Sequence, residues 1–299
     1  MAGQIAGSSS IAITDTVLAP PSERRSLSFI GRLCGNPAAM VGLGLVGIYV
    51  FTALAASFLP VQDPLEMHPS HALREPSANH ILGTDQFGRD MLSRLIFGAR
   101  VSLSVAVSSV LLSLLVGATV GLLAGYFGGV VDALSMRIMD VFFAFPMILM
   151  ALGIVAALGP SNSNLVLAAA IVYMPIFARV VRGPVLSLRE QEHVEAARCL
   201  GATHSRILLH HVLPNVISTI VIQTSLALSW VTLVEATMSF IGLGTQPPLP
   251  SWGGILNEGR SFMELAPWMA VYPGLAIMVA VLGFNLLGDG LRDVLDPRL

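Results

Sequence analysis

Six stretches of this chain are apolar for long enough to cross a lipid bilayer, and that leaves few folds open. They run at about 39–59, 101–125, 141–159, 164–181, 216–241 and 268–287. At ~1.5 Å of rise per residue, about 20 apolar residues in a helix match a hydrocarbon core of roughly 30 Å. Lipid offers no partner to a backbone N–H or C=O, so each stretch must be helical, with its hydrogen bonds closed within itself. Composition agrees: 54% of the 299 residues are hydrophobic and 11% charged, against roughly a quarter charged in soluble domains. The expected fold class is all-α, a polytopic membrane protein with six transmembrane helices. Pro146 and Pro175 fall in the two shortest spans, where each is expected to bend its helix.

All sixteen basic residues are arginine. Without lysine there is no Walker A phosphate loop and no Schiff base. If ATP drives this protein, another chain must hydrolyse it, and no cofactor is expected here. No Ser-His-Asp, Cys-His or paired-carboxylate arrangement is spaced for catalysis, so enzymatic activity is not expected. The net charge of −2 argues against nucleic acid as a partner. Cys34 and Cys199 imply no disulfide framework.

Arginine placement gives an orientation, because basic residues collect on the cytoplasmic side. With the amino terminus inside, Arg24, Arg25, Arg32, Arg137, Arg182, Arg189, Arg198, Arg206, Arg292 and Arg298 are cytoplasmic. Arg74, Arg89, Arg94, Arg100 and Arg260 are external, and Arg179 lies near the inner end of the fourth span. Both termini are therefore expected in the cytoplasm. Residues 1–36, rich in Ser, Ala and Pro, read as a partly disordered cytoplasmic tail without a signal peptide. Residues 37–299 form the transmembrane domain, with an external loop at 60–100 and a cytoplasmic loop at 183–214.

The longest polar interruption, residues 190–214, reads EQEHVEAARCLGATHSRILLHHVLP. Good helix formers run to Leu200, and Gly201 suits the residue just past a helix end, where φ > 0 is needed. A second short helix follows, and Pro214 stands where the next membrane helix should begin. Glu195-Ala196-Ala197, then Gly201, then Leu213-Pro214 resembles the EAA loop of ABC-importer permease subunits. His211 departs from that pattern, which usually has an aliphatic residue there. A second run, Gly83-Thr84-Asp85 with Gly88-Arg89-Asp90 and Arg94, resembles the C-type permease subunits of dipeptide, oligopeptide and nickel importers. Thr84 or Asp85 is expected to cap a helix with Phe87, Met91 and Leu95 as its apolar stripe, lying on the outer membrane surface until Arg100. Glu235–Gly244 with Gln246–Gly253, and Asn285–Asp293 with Asp296-Pro297-Arg298, resemble the same family.

The resemblance implies a heterodimer with a homologous B-type permease in the cytoplasmic membrane of a bacterium. It also implies two cytoplasmic ATPase subunits carrying ATP and Mg, and an external solute-binding protein. Alternating access would move di- or oligopeptides, with nickel or another small solute as the alternative cargo. A secondary transporter is a third reading, but such proteins show discontinuous helices in repeated halves. Glu195 is then the charge offered to the ATPase, and Gly201 the elbow of the docking segment. Glu235, inside the fifth span, must face protein or a water-filled path. Gln223, Ser225, Ser229 and Thr232 either line that path with it or knit helices together. Gly117, Gly121 and Gly125 suggest close helix contact, within the subunit or with its partner. His68, His71 and His80 fit no compact ligand pattern, so no metal site is expected. Asp132 and Asp140, flanking Arg137, read as charges in a short cytoplasmic turn.

Overall fold

The computed structural model describes residues 29–295. The tail expected over 1–28 and the Asp296-Pro297-Arg298 motif lie outside the described residues. Eleven α-helices order the described chain: α1 (Phe29–Gly35), α2 (Pro37–Ala55), α3 (Met91–Phe127), α4 (Gly129–Phe143), α5 (Met147–Leu158), α6 (Asn162–Leu188), α7 (Glu192–Cys199), α8 (His204–Ile207), α9 (Leu213–Phe240), α10 (Trp252–Gly259) and α11 (Trp268–Leu295). A π-helical turn, Leu208–Val212, joins α8 to α9. Five helical rods are long and apolar enough to cross a membrane: α2, α3, α6, the rod from α8 through α9, and α11. The pair α4 and α5, bent by 85° at its break, makes up to six. The chain is thus an all-α, multi-pass membrane protein.

Helices in lipid gain little by hiding apolar side chains from one another, so close approach depends on small residues. The most extensive contact in the bundle, between α3 and α6, is of this kind. Gly117 abuts Phe177, Gly121 abuts Ala178 and Val181, and Gly125 abuts Val185. A Cβ at Gly121 would stand 3.1 Å from the Val181 Cβ, and one at Gly125 2.8 Å from that of Val185. The glycine stripe therefore serves a contact within the subunit. Its register also makes α3 and α6 parallel, since later residues on one meet later residues on the other. A second glycine contact makes α2 and α11 antiparallel: Gly283 faces Leu45, and Gly290 faces Ala39. Consequently residue 37, the 189–212 segment and residue 295 share one end of the bundle, here the elbow end. Residues 56–90 and 241–267 share the opposite, loop end.

Several expected boundaries are corrected. The outer-surface helix and the second span at 101–125 are one helix, α3, of 37 residues, about 55 Å long at 1.5 Å per residue. Neither Thr84 nor Asp85 caps it. Asp90 does, accepting from the Ser93 N–H, because the preceding residues are held in a tight turn by Gly83 and Gly88, both at φ +76°. The span at 141–159, expected to bend at Pro146, is broken outright: α4 ends at Phe143 and Pro146 precedes α5, where a missing N–H and a ring clash stop the ladder. Asp132 and Asp140 lie on α4 rather than in a turn. Asp132 takes a two-pronged ion pair from Arg182 of α6, with Nη2 at 2.6 Å. Asp140 accepts from Arg179 at 2.7 Å, and that guanidinium lies 4.1 Å over the Phe143 ring. The fourth span, expected at 164–181, runs on to Leu188 with Pro175 and Pro184 inside one helix. The sixth runs past 287 to Leu295.

Gly121→Leu should push α3 off α6 and destabilise the solubilised chain by about 1–3 kcal/mol, the usual cost of overpacking. Gly44→Leu is the control, because nothing lies within 4 Å of a Cβ built there. Unfolding midpoints of the two variants, compared with the parent chain in one detergent, check this.

Candidate functional site

At the elbow end, α7 stops in a glycine-terminated C-cap. Ala202 N–H donates to the Ala197 carbonyl and Gly201 N–H to that of Arg198, both at 3.0 Å, with Gly201 at φ +79°. This paired pattern closes the last carbonyls of a helix and needs a left-handed residue. Nothing lies within 4 Å of a Cβ at Gly201, so its conformation and not space selects glycine. Thr203 then caps α8 by accepting from the Arg206 N–H. Val194, Ile207 and Val212 are fully buried against Tyr126, Val181 and Val185 at the ends of α3 and α6. The hairpin is thus seated on one face. Its other face is open, with Glu195 and Ala196 exposed and Leu200 88% exposed.

The second helix does not stop before Pro214 as expected. It continues through the π turn into α9, so His204–Phe240 is one rod. Proline at 214 lacks the N–H a regular helix would use, and the widened turn accommodates that loss. Asn215 Nδ2 meets the His211 carbonyl at 2.6 Å. The His211 ring, the departure from the family pattern, lies 6.4 Å from the ring of His193 on α7. Glu195, Ala196, Ala197 and Gly201 therefore come together at the elbow, with Ala197 half-buried. Leu213 and Pro214 sit at the start of α9.

At the loop end, all seven motif residues form one knot. Asp85 is fully buried: Oδ1 accepts from the Phe87 and Arg89 N–H groups at 2.8 and 2.9 Å, and Oδ2 from Arg89 Nε at 2.5 Å and from Arg94 Nη1. Glu258 of α10 accepts from Arg89 Nη2 at 2.8 Å and from both Arg94 Nη atoms at 2.7 and 3.1 Å. Two carboxylates thus meet two guanidiniums, the balance that a buried charge cluster requires. Thr84 Oγ1 accepts from the Arg74 N–H at 2.8 Å, and its carbonyl takes Trp268 Nε1 at 3.1 Å. Asp90 Oδ1 holds His80 Nδ1 at 3.0 Å. A Cβ at Gly83 would lie 2.7 Å from the Arg74 carbonyl, and one at Gly88 2.6 Å from the His68 carbonyl carbon. The motif is a clasp joining the loop to α3, α10 and α11. His71 packs between the rings of His68 and His80, at 5.7 and 5.6 Å. Burial, together with the charges of Arg74, His80 and His68, holds its titration below the usual value of 6.5.

The polar residues of the fifth span face inward. Ser225 Oγ donates to the Phe284 carbonyl at 2.9 Å and Ser229 Oγ to that of Val281 at 3.2 Å, tying α9 to α11. Thr232 donates to its own helix at Leu228. Glu235, 1% exposed, accepts from Ser239 Oγ at 2.8 Å and sits among the hydroxyls of Ser102 and Ser251. Ser251 caps α10, and Gly253 lies directly on Ala236. The Glu235 cluster thus joins α9 and α3 to the start of α10. Gln223, held by the Tyr173 hydroxyl at 2.8 Å, lines a cavity of about 430 Å³ with Thr219, Asp289 and Arg292. Sequence reasoning missed α10 altogether, although Ser251 followed by Trp252-Gly253-Gly254 carries a cap signal. It also missed the pairing of Asp132 and Asp140, eight residues apart on one helix face, with Arg182 and Arg179.

Residues 117–299 match the family described as binding-protein-dependent transport system inner membrane component. The chain is 47% identical over 264 residues to the dipeptide transport system permease protein DppC of Alkalihalophilus pseudofirmus, covering 88% of this chain and 87% of that one. It is 46% identical over 258 residues to the glutathione transport system permease protein GsiD of Pectobacterium atrosepticum, covering 85% and 86%. With the di/tripeptide transport system permease protein DppC of Pseudomonas aeruginosa it shares 43% over 270 residues, covering 88% and 89%. Among solved structures, the inward-facing MetNI methionine ABC transporter superposes with a TM-score of 0.56 at 19% identity, over 69% of this chain and 98% of that one. That likeness shows a shared fold.

Two outcomes follow from the clasp. Arg94→Ala leaves Asp85 and Glu258 to share the one guanidinium of Arg89, and should cost roughly 3–5 kcal/mol, as removing one partner of a buried ion pair does; limited proteolysis within 60–90 reads the loosening. A His71 titration held low means the unfolded chain binds the proton more readily, so stability falls as pH drops below about 6.5. Cleavage in the same segment should therefore speed up between pH 7.5 and 5.5, and His71→Gln should flatten that dependence.

Proposed function

We propose that this chain, which belongs to the family of binding-protein-dependent transport system inner membrane components, is a permease subunit of an importer that moves di- or oligopeptides across the bacterial cytoplasmic membrane. The observation that carries the reading is the elbow, a short helix seated by Val194 and presenting Glu195, Ala196 and Leu200 outward. A small-residue helix with one carboxylate and one protruding leucine suits a groove with an apolar floor and an arginine rim. The lysine-free chain has no phosphate loop of its own, so ATP and Mg belong to two ATPase subunits docked at the elbow end. That end, with both termini, faces the cytoplasm. A homologous B-type permease completes the path, and an external solute-binding protein delivers cargo to the loop end.

The coupling we infer is mechanical. ATPase closure moves α7; because Ile207 and Val212 are packed against the same core, α8 and the rod running into α9 move with it. Ser225 and Ser229 carry that movement to α11, and the Glu235 cluster carries it to α10 at the loop end. Access then alternates between the two ends. The relatives named for dipeptide, di/tripeptide and glutathione transport support a peptide cargo, and nickel or another small solute is the alternative.

Uptake by cells lacking only this chain, measured with a labelled dipeptide, a longer peptide and nickel, tests the reading. Dipeptide uptake should be lost and restored by the parent chain. It should be reduced about tenfold or more by Glu195→Arg, which sets a charge against its partner. Gly201→Pro should uncouple similarly, because proline cannot adopt the positive φ of the elbow. Normal uptake and ATPase association in both variants, once correctly inserted, would refute the coupling role. Loss of nickel uptake alone would keep the permease and overturn the cargo.

A further inference from the structure

Behind the elbow, on the flank of α7 that faces the bundle, lies a cavity of about 410 Å³ lined by Tyr126, Phe127, Arg189, Glu190, Arg198 and His204. Every lining residue is aromatic or ionisable. Tyr126 and Phe127 are the last residues of α3, and Arg189 directly follows α6. The cavity therefore sits where two spanning helices leave the hydrocarbon, the depth at which aromatic rings gather in membrane proteins. Arg198 lies one turn beyond the buried Val194, is exposed, and stands on the side of α7 opposite Ala196.

The charges in this cavity are not balanced. Arg189 donates to the Gly125 carbonyl at 3.2 Å and only distantly, at 3.3 Å, to Glu190, whose side chain is 72% exposed. Arg198 has no hydrogen-bond or ion-pair partner among the described residues. His204 Nδ1 meets the Tyr126 hydroxyl at 2.9 Å, and its ring packs 5.6 Å from Phe127, so the imidazole is fixed. Two guanidiniums against one carboxylate leave room for an anion, and forked guanidinium donors match phosphate oxygens. Either a phospholipid or a soluble phosphate offers that chemistry. The surroundings favour the lipid. Phe127 is 49% exposed beside the cavity, and Leu123, Val130 and Val131 extend an apolar face from it.

We propose that this cavity binds the phosphate of an anionic phospholipid, held by Arg198 and Arg189, with the acyl chains along Phe127 and its apolar neighbours. It rests on the preceding reading only in placing the elbow end at a membrane surface; the cargo is irrelevant to it. Because Arg198 rides on α7, an occupied cavity tethers the elbow to the membrane surface and makes coupling sensitive to lipid charge.

The test is lipid retention by the purified full chain in neutral detergent, counted by native mass spectrometry. Phosphatidylglycerol and phosphatidylcholine of equal acyl length are titrated separately, with glycerol 3-phosphate as the soluble competitor. One phosphatidylglycerol should be retained in preference to phosphatidylcholine. At ~1 kcal/mol per interfacial charge, Arg198→Glu should weaken that first binding roughly tenfold or more. Arg137→Glu, an exposed arginine of α4 outside the cavity, should leave it unchanged, and matching unfolding midpoints establish that both variants are folded. Equal retention of the two lipids, or parental retention by Arg198→Glu, overturns the site. Displacement of phosphatidylglycerol by millimolar glycerol 3-phosphate overturns the lipid assignment.

Discussion

At Gly117, Gly121 and Gly125 helix α3 offers no side chain, so the backbone of α6 and the Cβ carbons of Phe177, Val181 and Val185 pack directly on it, and the remaining architecture depends on that contact. In lipid, where apolar side chains gain little by meeting one another, close backbone approach is the main attraction available between helices. The parallel pair it creates defines the two ends of the bundle. Its elbow end offers Tyr126, Val181 and Val185 as a seat for Val194 and Ile207. Its loop end offers Ser102 to the Glu235 cluster, and Arg94 to the clasp.

The two ends are built on different physics. The elbow is attached by burial on one face only, with backbone hydrogen bonds closed locally by the glycine cap, so its outer face stays available. The loop end is cross-linked by charge. Asp85, Arg89 and Arg94, close together in sequence, interlock with Glu258 of α10, more than 160 residues later, and removing any one group leaves a charge unbalanced. The outer face of the elbow leaves Glu195 exposed, while the loop end closes its charges on one another.

Where lipid dictates the outcome, the sequence was readable. The spans follow from apolar length, the glycine stripe from its spacing, and the Gly201 elbow from the need for a positive φ. What could not be read depended on partners remote in sequence. Asp85 looked like a helix cap because its arginine and Glu258 partners were unknown, and the true cap, Asp90, lay five residues on. Phe143 to Pro146 read as a gentle bend because the ion pairs that hold α4 onto α6 come from Arg179 and Arg182, some forty residues later. Glu235 admitted two readings from its position alone. In the fold it is buried, bonded to Ser239 and beside the start of α10. That helix is too short to announce itself by hydropathy.

The π turn at Leu208–Val212 stands between the elbow and the long helix α9. A turn with a surplus residue keeps the rod continuous along its axis, yet its bonds are wider and poorer than those on either side. Compression passes through such a turn almost unchanged, because the helix above rests directly on the helix below. Torque does not, because rotation is taken up where the hydrogen bonds are weakest. In the proposed coupling the turn would therefore act as a thrust bearing, delivering a push into α9 while sparing α11 and α10 a rotation that their serine and carboxylate attachments could not follow.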